Sequence, residues 1–139
     1  MDLLFVYGTL LPECNLSIST QFLEDAEFLG HGYVFAKLYD LGDYPAMVLD
    51  ITYEHKVFGQ IYRLYSPKKT LAILDDYEDI NPSFPEDNEY IRAVVKVSSK
   101  EVEMNAYAYL YTKDVLPLKK IPSGDYLSYL TDKLSKQTN

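Results

Sequence analysis

From Met104 to Tyr111 the chain reads Met-Asn-Ala-Tyr-Ala-Tyr-Leu-Tyr, a strict two-residue alternation. Successive side chains of an extended strand point to opposite faces, so Tyr107, Tyr109 and Tyr111 share one face and Ala106, Ala108 and Leu110 the other. No helix accommodates that period. Tyr90 to Val97, "YIRAVVKV", is a second strand, and the two form a hairpin around Ser98 to Glu103. Val57 to Leu64, "VFGQIYRL", alternates as well. Leu3 to Tyr7 is a continuous apolar run closed by Gly8, the pattern of a strand buried on both faces. Glu27 to Leu41 reads as strand with turns, punctuated by Gly30, Gly32 and Gly42. Asp43 to Ala46 is a turn signal ahead of the apolar run Met47-Val48-Leu49.

Helical signals are fewer. Pro12 to Leu23 is mixed and holds a short helix. Ser66 as N-cap and Pro67 at the first helical position open another, running to about Tyr77. Asn81 to Asn88 carries two prolines and reads as loop. Gly124-Asp125 precedes a final helix over about Tyr126 to Lys136, and the polar end of the chain, about 131–139, is expected as a tail. The order is not a βαβ alternation, so the class is α+β. Consecutive alternating strands with glycine kinks favour a small, strongly curved sheet or barrel with two or three flanking helices. The 139 residues read as one domain, 1–139, with no repeat or linker.

Charge excludes several functions. The net charge of −8 disfavours nucleic acid and anionic membrane, both of which need a basic face; Lys68-Lys69 and Lys119-Lys120 are only pairs. No run approaches the ~18 apolar residues of a membrane span. Leu3 to Tyr7 is too short for a signal-peptide core, and Asp2 replaces the usual positive start. The single cysteine, Cys14, has no intrachain disulfide partner and lies beside Glu13, which opposes the thiolate a nucleophile needs. A cytoplasmic, monomeric protein is expected. His31 and His55 are far apart and form no ligand-spaced pair, so no metal is expected. Gly30-His31-Gly32 begins like a dinucleotide fingerprint, but Phe35 stands where the third glycine belongs. There is no Walker loop and no Gly-x-Ser-x-Gly elbow. The 14 tyrosines suit strands, and equally a pocket wall that must also form hydrogen bonds.

Two polar features remain. At ~100° per residue, Leu71 and Leu74 define the buried stripe of the middle helix, and Glu78 falls near its centre if the last turn reaches that far. Asp76 and Asp79 point away, and Asp75 sits on the margin. A buried carboxylate is costly, and desolvation and the helix C-terminus both push its pKa up, which makes it a better proton acceptor near neutral pH. If the helix stops at Asp75, Glu78 is instead a solvated turn residue. Gly8 ends a buried strand, either as an ordinary turn or as a place where successive backbone N–H groups form a nest for a carboxylate or oxyanion.

With both located, the sequence resembles the γ-glutamylcyclotransferase-like family, in its branch of γ-glutamylamine cyclotransferases and AIG2-like proteins. Tyr7-Gly8-Thr9-Leu10 is similar to the family's Tyr-Gly-Thr/Ser-Leu/Asn signature, and Asp43-Tyr44-Pro45-Ala46 to its Tyr-Pro-Ala turn. Val57 to Tyr62 resembles its Val-x-Gly-x-x-Tyr strand, and Leu74 to Glu78 its Leu-Asp-x-Phe/Tyr-Glu. Tyr90-Ile91-Arg92 is similar to its Tyr-x-Arg, and Ile121 to Tyr126 to its Ile-x-x-Gly-Asp-Trp/Tyr. The six occur in the family's order over almost the whole chain. The resemblance implies a small mixed β-barrel, a loop Tyr7 to Leu10 that binds a γ-glutamyl group through its backbone, Glu78 as acid/base, and no cofactor. Tyr90 and Arg92 are candidates for the pocket, with strand packing and a surface salt bridge as the alternatives. The implied reaction closes the γ-glutamyl group to 5-oxoproline and frees an amine or amino acid. A non-catalytic small-ligand-binding or regulatory protein on the same fold is the rival reading. One departure stands out: the family often has Gly after the catalytic Glu, where this chain has Asp79.

Overall fold

The computed structural model describes residues 1–137. Its core is a mixed, five-stranded β-barrel. The strands are β1 (Leu3–Val6), β2 (Ala26–Asp40), β4 (Lys56–Leu64), β5 (Tyr90–Ser99) and β6 (Val102–Tyr111). They run β2-β4-β1-β6-β5, and β5 returns to β2 through Tyr33 and Ser98. Among the described residues only β1 and β6 pair in parallel, with Leu4 beside Tyr107; β1 is antiparallel to β4. Two short strands extend the far half of β2: β3 (Pro45–Leu49) and β7 (Lys119–Lys120). Three helices flank the barrel: α1 (Ser17–Leu23), α2 (Pro67–Tyr77) and α3 (Tyr126–Gln137). Among the described residues no helix is long and apolar enough to cross a membrane.

Closure depends on missing side chains. Gly32 on β2 faces Gly59 on β4. A Cβ on Gly32 would meet the Ser98 carbonyl at 2.8 Å, where β5 closes onto β2; one on Gly59 would meet the Val6 carbonyl at 2.2 Å. The sheet can curl this tightly only with glycine at both positions. The glycines expected to break the Glu27 to Leu41 region instead bend it. β2 is one 15-residue strand with a bulge between Phe28 and Gly30, and its length lets it serve both the barrel and β3.

The alternating pattern sorts side chains as expected. Ala106 and Ala108 point into the barrel with Phe5, Val34, Val57, Ile61 and Val97. Tyr107, Tyr109 and Tyr111 point outward, into a second core with Phe22 of α1 and Leu71 and Leu74 of α2. β1 belongs to both: Phe5 fills the barrel, while Leu4 and Val6 pack under the helices. Truncating Leu74, which is fully buried, removes a contact worth roughly 2–5 kcal/mol.

Several local readings are refined. The β5–β6 hairpin turns on Lys100 and Glu101 alone, both left-handed (φ 48° and 66°), as two-residue hairpins of this twist require. Neither residue is Gly or Asn, so no turn signal marked them. Ser66 stands at the N-cap of α2 without a side-chain capping bond, and Pro67 is at its first position. The Asn81 to Asn88 loop contains a single 3-10 turn, Pro85–Asp87, and another, Pro12–Cys14, precedes α1. The final helix expected to about Lys136 is α3, which continues to Gln137, so the polar stretch expected as a tail from about 131 is helical to 137. The helix docks through its approach, where Gly124 (φ 67°) accepts from Phe58 N–H at 2.9 Å. A side chain there would overlap the Lys56 carbonyl.

Candidate active site

β1 ends at Val6 and the chain turns at once, with Leu11 N–H donating to the Gly8 carbonyl at 2.9 Å. Gly8 is not left-handed. It is glycine because Pro45 of β3 occupies the space a side chain would need, its Cγ lying 2.5 Å from an ideal Cβ position. The backs of the loop residues are held. The buried Ser19 hydroxyl of α1 lies 3.3 Å from the Thr9 carbonyl and 3.4 Å from that of Leu11, and the Cys14 thiol 3.5 Å from that of Gly8. The carbonyl groups are thus engaged from behind. Among the described residues, the N–H groups of Gly8, Thr9 and Leu10 donate to no protein acceptor. Unpaired donors of this kind call for water or a ligand.

Opposite stands Glu78. α2 ends at Tyr77, and Glu78 caps it, its N–H still donating to Leu74 at 2.9 Å. The helical path therefore persists long enough to keep Glu78 on the stripe of Leu71 and Leu74. Asp79 then adopts the left-handed conformation (φ 58°) that commonly closes a helix. Asp is one of the few residues other than glycine that tolerates this geometry, so the departure at position 79 preserves the turn. Its N–H donates to the Asp76 carbonyl at 3.1 Å.

Between the loop and Glu78 lies a pocket of about 440 Å³, within the range that small-molecule sites occupy. Tyr7, Gly8, Thr9, Leu10, Glu78 and Tyr90 all line it. Burial, and secondarily the charge of Asp75, push the Glu78 carboxyl up to about 7. It is thus poised to exchange a proton at neutral pH. Burial followed by the charge of Glu78 also drives the Tyr7 phenol well above its ordinary value, so it stays neutral; its hydroxyl donates to the Tyr109 carbonyl at 2.5 Å. The Tyr90 hydroxyl donates to the Pro45 carbonyl at 2.8 Å and anchors the turn that presses on Gly8. Thr9 and Tyr77 bring their hydroxyls to 3.5 Å across the cleft.

Arg92 does not line the pocket. Its guanidinium donates to Asp75 at 2.8 Å and stacks over Tyr107, 5.2 Å from the ring centre. Cys14 lies outside the pocket as well, its thiol pushed up by burial and by Glu13. His55 pairs with the buried Asp50 at 2.9 Å in a loop distant in sequence from both halves of the site. Among the described residues no group of three His, Cys, Asp or Glu side chains is placed to hold a metal ion.

Some site residues carried no recognisable signal. Tyr109 lines the pocket floor, and its outward face was legible, but its link to Asp75 was not. Ser19 sits in an ordinary helix, and only the fold brings it under the loop. Tyr44, Asp87 and Glu89 form part of the pocket wall from segments that read as turn and loop.

Known proteins extend these observations. Residues 4–128 match the family model described as "Gamma-glutamyl cyclotransferase, AIG2-like". No curated protein gives a significant match. Among solved structures, an AIG2-like protein from Mus musculus is 27% identical, with a TM-score of 0.67 over 88% of this chain and 87% of its own. YtfP from Escherichia coli is 29% identical, with a TM-score of 0.64 over 91% of this chain and 97% of its own. YkqA from Bacillus subtilis, 21% identical, shares the fold with a TM-score of 0.73 over 96% of this chain, which spans only 42% of YkqA. The chain belongs to the gamma-glutamyl cyclotransferase, AIG2-like family.

Proposed function

We propose that the protein is a cyclotransferase that releases 5-oxoproline and a free amine from a small γ-glutamyl substrate, with Glu78 as general acid and base. The observation that carries this reading is the facing pair: an unpaired Glu78 carboxyl, pushed up to about 7, across a pocket from three unpaired backbone N–H groups. The N–H groups of Gly8, Thr9 and Leu10 suit an anion, either the substrate α-carboxylate or the oxyanion of the reaction.

The chemistry follows from the substrate. Its α-nitrogen is an ammonium at neutral pH and attacks nothing until a base takes a proton. Glu78 takes it, and the amine closes on the side-chain amide carbon, forming the ring C–N bond and an oxyanion. The protonated Glu78 then donates to the amide nitrogen, the old C–N bond breaks and the carbonyl reforms. The ring nitrogen still holds one proton too many; Glu78 removes it and passes it on, so the leaving group departs as ammonium and Glu78 returns to carboxylate. Because the attack is intramolecular, holding the substrate folded supplies much of the rate.

The charge of the pocket lining favours one kind of leaving amine. The exposed Asp79, Asp87 and Glu89 are part of it, and among the described residues no Lys or Arg lines the pocket. A leaving amine with a second positive charge and no carboxylate suits that lining. Each exposed pairing contributes up to about 1 kcal/mol, so a γ-glutamyl diamine should surpass a γ-glutamyl amino acid by about tenfold in kcat/KM, the margin shrinking as salt rises. A panel of both substrate kinds, read by mass for 5-oxoproline, checks both claims. Absence of 5-oxoproline across the panel refutes the cyclotransferase reading; equal rates at low salt refute the preference alone.

A further inference from the structure

α2 and β1 lie far apart in the chain, yet the pocket needs Glu78 and the Gly8 loop at a fixed separation. Besides the 3.5 Å approach of the Thr9 and Tyr77 hydroxyls, Asp75 links them through side-chain hydrogen bonds. Asp75, three positions before Glu78 and so on a neighbouring part of the helix face, accepts from the Tyr109 hydroxyl at 2.7 Å through one carboxylate oxygen. Through the other it accepts from Arg92 at 2.8 Å. Tyr109 in turn accepts on its backbone carbonyl from the hydroxyl of Tyr7, which directly precedes Gly8. A continuous chain of hydrogen bonds thus runs from helix to strand to loop, with Asp75 at its helical end.

We propose that Asp75 is a positioning residue for Glu78: clamped by Tyr109 and Arg92, it fixes the end of α2 against the loop and holds its carboxylate beside the reacting carboxyl. The inference rests on Glu78 being the acid/base. It also gives Arg92 a place. Arg92 lies outside the pocket, but its cation balances Asp75 and thereby sets how strongly that charge reaches Glu78.

Other groups facing Glu78 do not duplicate this. Tyr7, Tyr90 and Tyr109 are all raised by burial first and remain neutral at working pH. Tyr44, also raised, comes from the turn before β3. Asp79, Asp87 and Glu89 are exposed at the mouth, where water and salt screen them. Asp75 is the carboxylate tied to the site by two side-chain bonds.

The test uses two substitutions with opposite signs. In Asp75→Asn the like charge is gone, and the titration midpoint of the Glu78 carboxyl, followed by carbon-13 NMR, falls by about one pH unit. In Arg92→Gln Asp75 is no longer balanced, and the midpoint rises. The acid limb of the kcat/KM profile moves the same way in each, with KM changed far less than kcat in Arg92→Gln. Tyr109→Phe, which removes one clamp and leaves the charge, raises KM with a smaller change in midpoint. Unchanged midpoints, or shifts of the same sign in Asp75→Asn and Arg92→Gln, overturn the proposal. The NMR measurement needs no substrate. If the protein cyclises nothing, the titration still decides the role of Asp75, and the two failures stay distinct.

Discussion

Glu78→Gln is expected to lower turnover by about a thousandfold while making the folded protein more stable at alkaline pH. The two effects share one cause. The Glu78 carboxyl is held at about 7 against an ordinary 4.5, chiefly because burial opposes its charge. A carboxyl raised on folding favours the native state most where it is protonated in both states, below about 4.5. That contribution is lost as pH rises through 7. Above 7 the folded chain carries a charge it holds poorly, at a cost of about 2 kcal/mol once the water admitted by the pocket is allowed for. Glutamine keeps the shape and never ionises. The variant should therefore melt roughly 6–10 °C above the parent at pH 8.5, with the difference closing toward pH 4. Calorimetry at the two pH values, paired with 5-oxoproline release, reads both halves. Retained activity would remove Glu78 from the mechanism, and a variant less stable than the parent at pH 8.5 would refute the burial argument.

Gly8→Ala should cost about a hundredfold in kcat/KM with little loss of fold. The methyl would stand 2.5 Å from Pro45 Cγ and 3.0 Å from its Cδ. A proline ring has no rotamer that clears the space, and Pro45 is pinned by its pairing with Asp40 and by the bond its carbonyl accepts from Tyr90. The loop must yield instead. A displacement of about an ångström there misaims the free N–H groups relative to Glu78, and catalytic geometry is sensitive on that scale. Because Gly8 is not left-handed, alanine itself adds no backbone strain. Relief should come from the other side: Pro45→Ala in the Gly8→Ala background removes the colliding ring atoms and recovers part of the rate. If the double variant is no better than the product of the two single effects, the steric account fails.

Much of this was legible from the chain, for identifiable reasons. Alternation in Met104 to Tyr111 fixes faces because extended backbone has a period of two, and both faces found a core. Glu78 could be singled out because helical periodicity placed it among Leu71 and Leu74. The resemblance supplied the partner loop. What the sequence could not carry were contacts set by closure of the barrel. Gly32 and Gly59 are opposite one another only because β2 and β4 take a particular register, and Pro45 fills the space beside Gly8 only because β3 folds back along β2. The hairpin at Lys100-Glu101 lacked a marker because its left-handed residues are imposed by strand twist on side chains that do not prefer it. Asp75 stood on the margin of a stripe, and nothing local said that Tyr109 and Arg92 would both reach it.

The place of β1 has a consequence for how the chain comes to be folded at all. β1 precedes the other described strands and is apolar on both faces, yet one of its two neighbours is β6, and Tyr7 waits for Tyr109, 102 positions later, to receive its hydroxyl bond. During synthesis β1 therefore emerges long before β6 exists. Pairing of this range makes folding slow, because the loop must close before the contact repays it. The barrel that carries the pocket is closed only once β6 has paired with β1. Until then the apolar side chains of Leu3 to Val6 lack the two cores that bury them, and such transiently exposed segments are prone to aggregation.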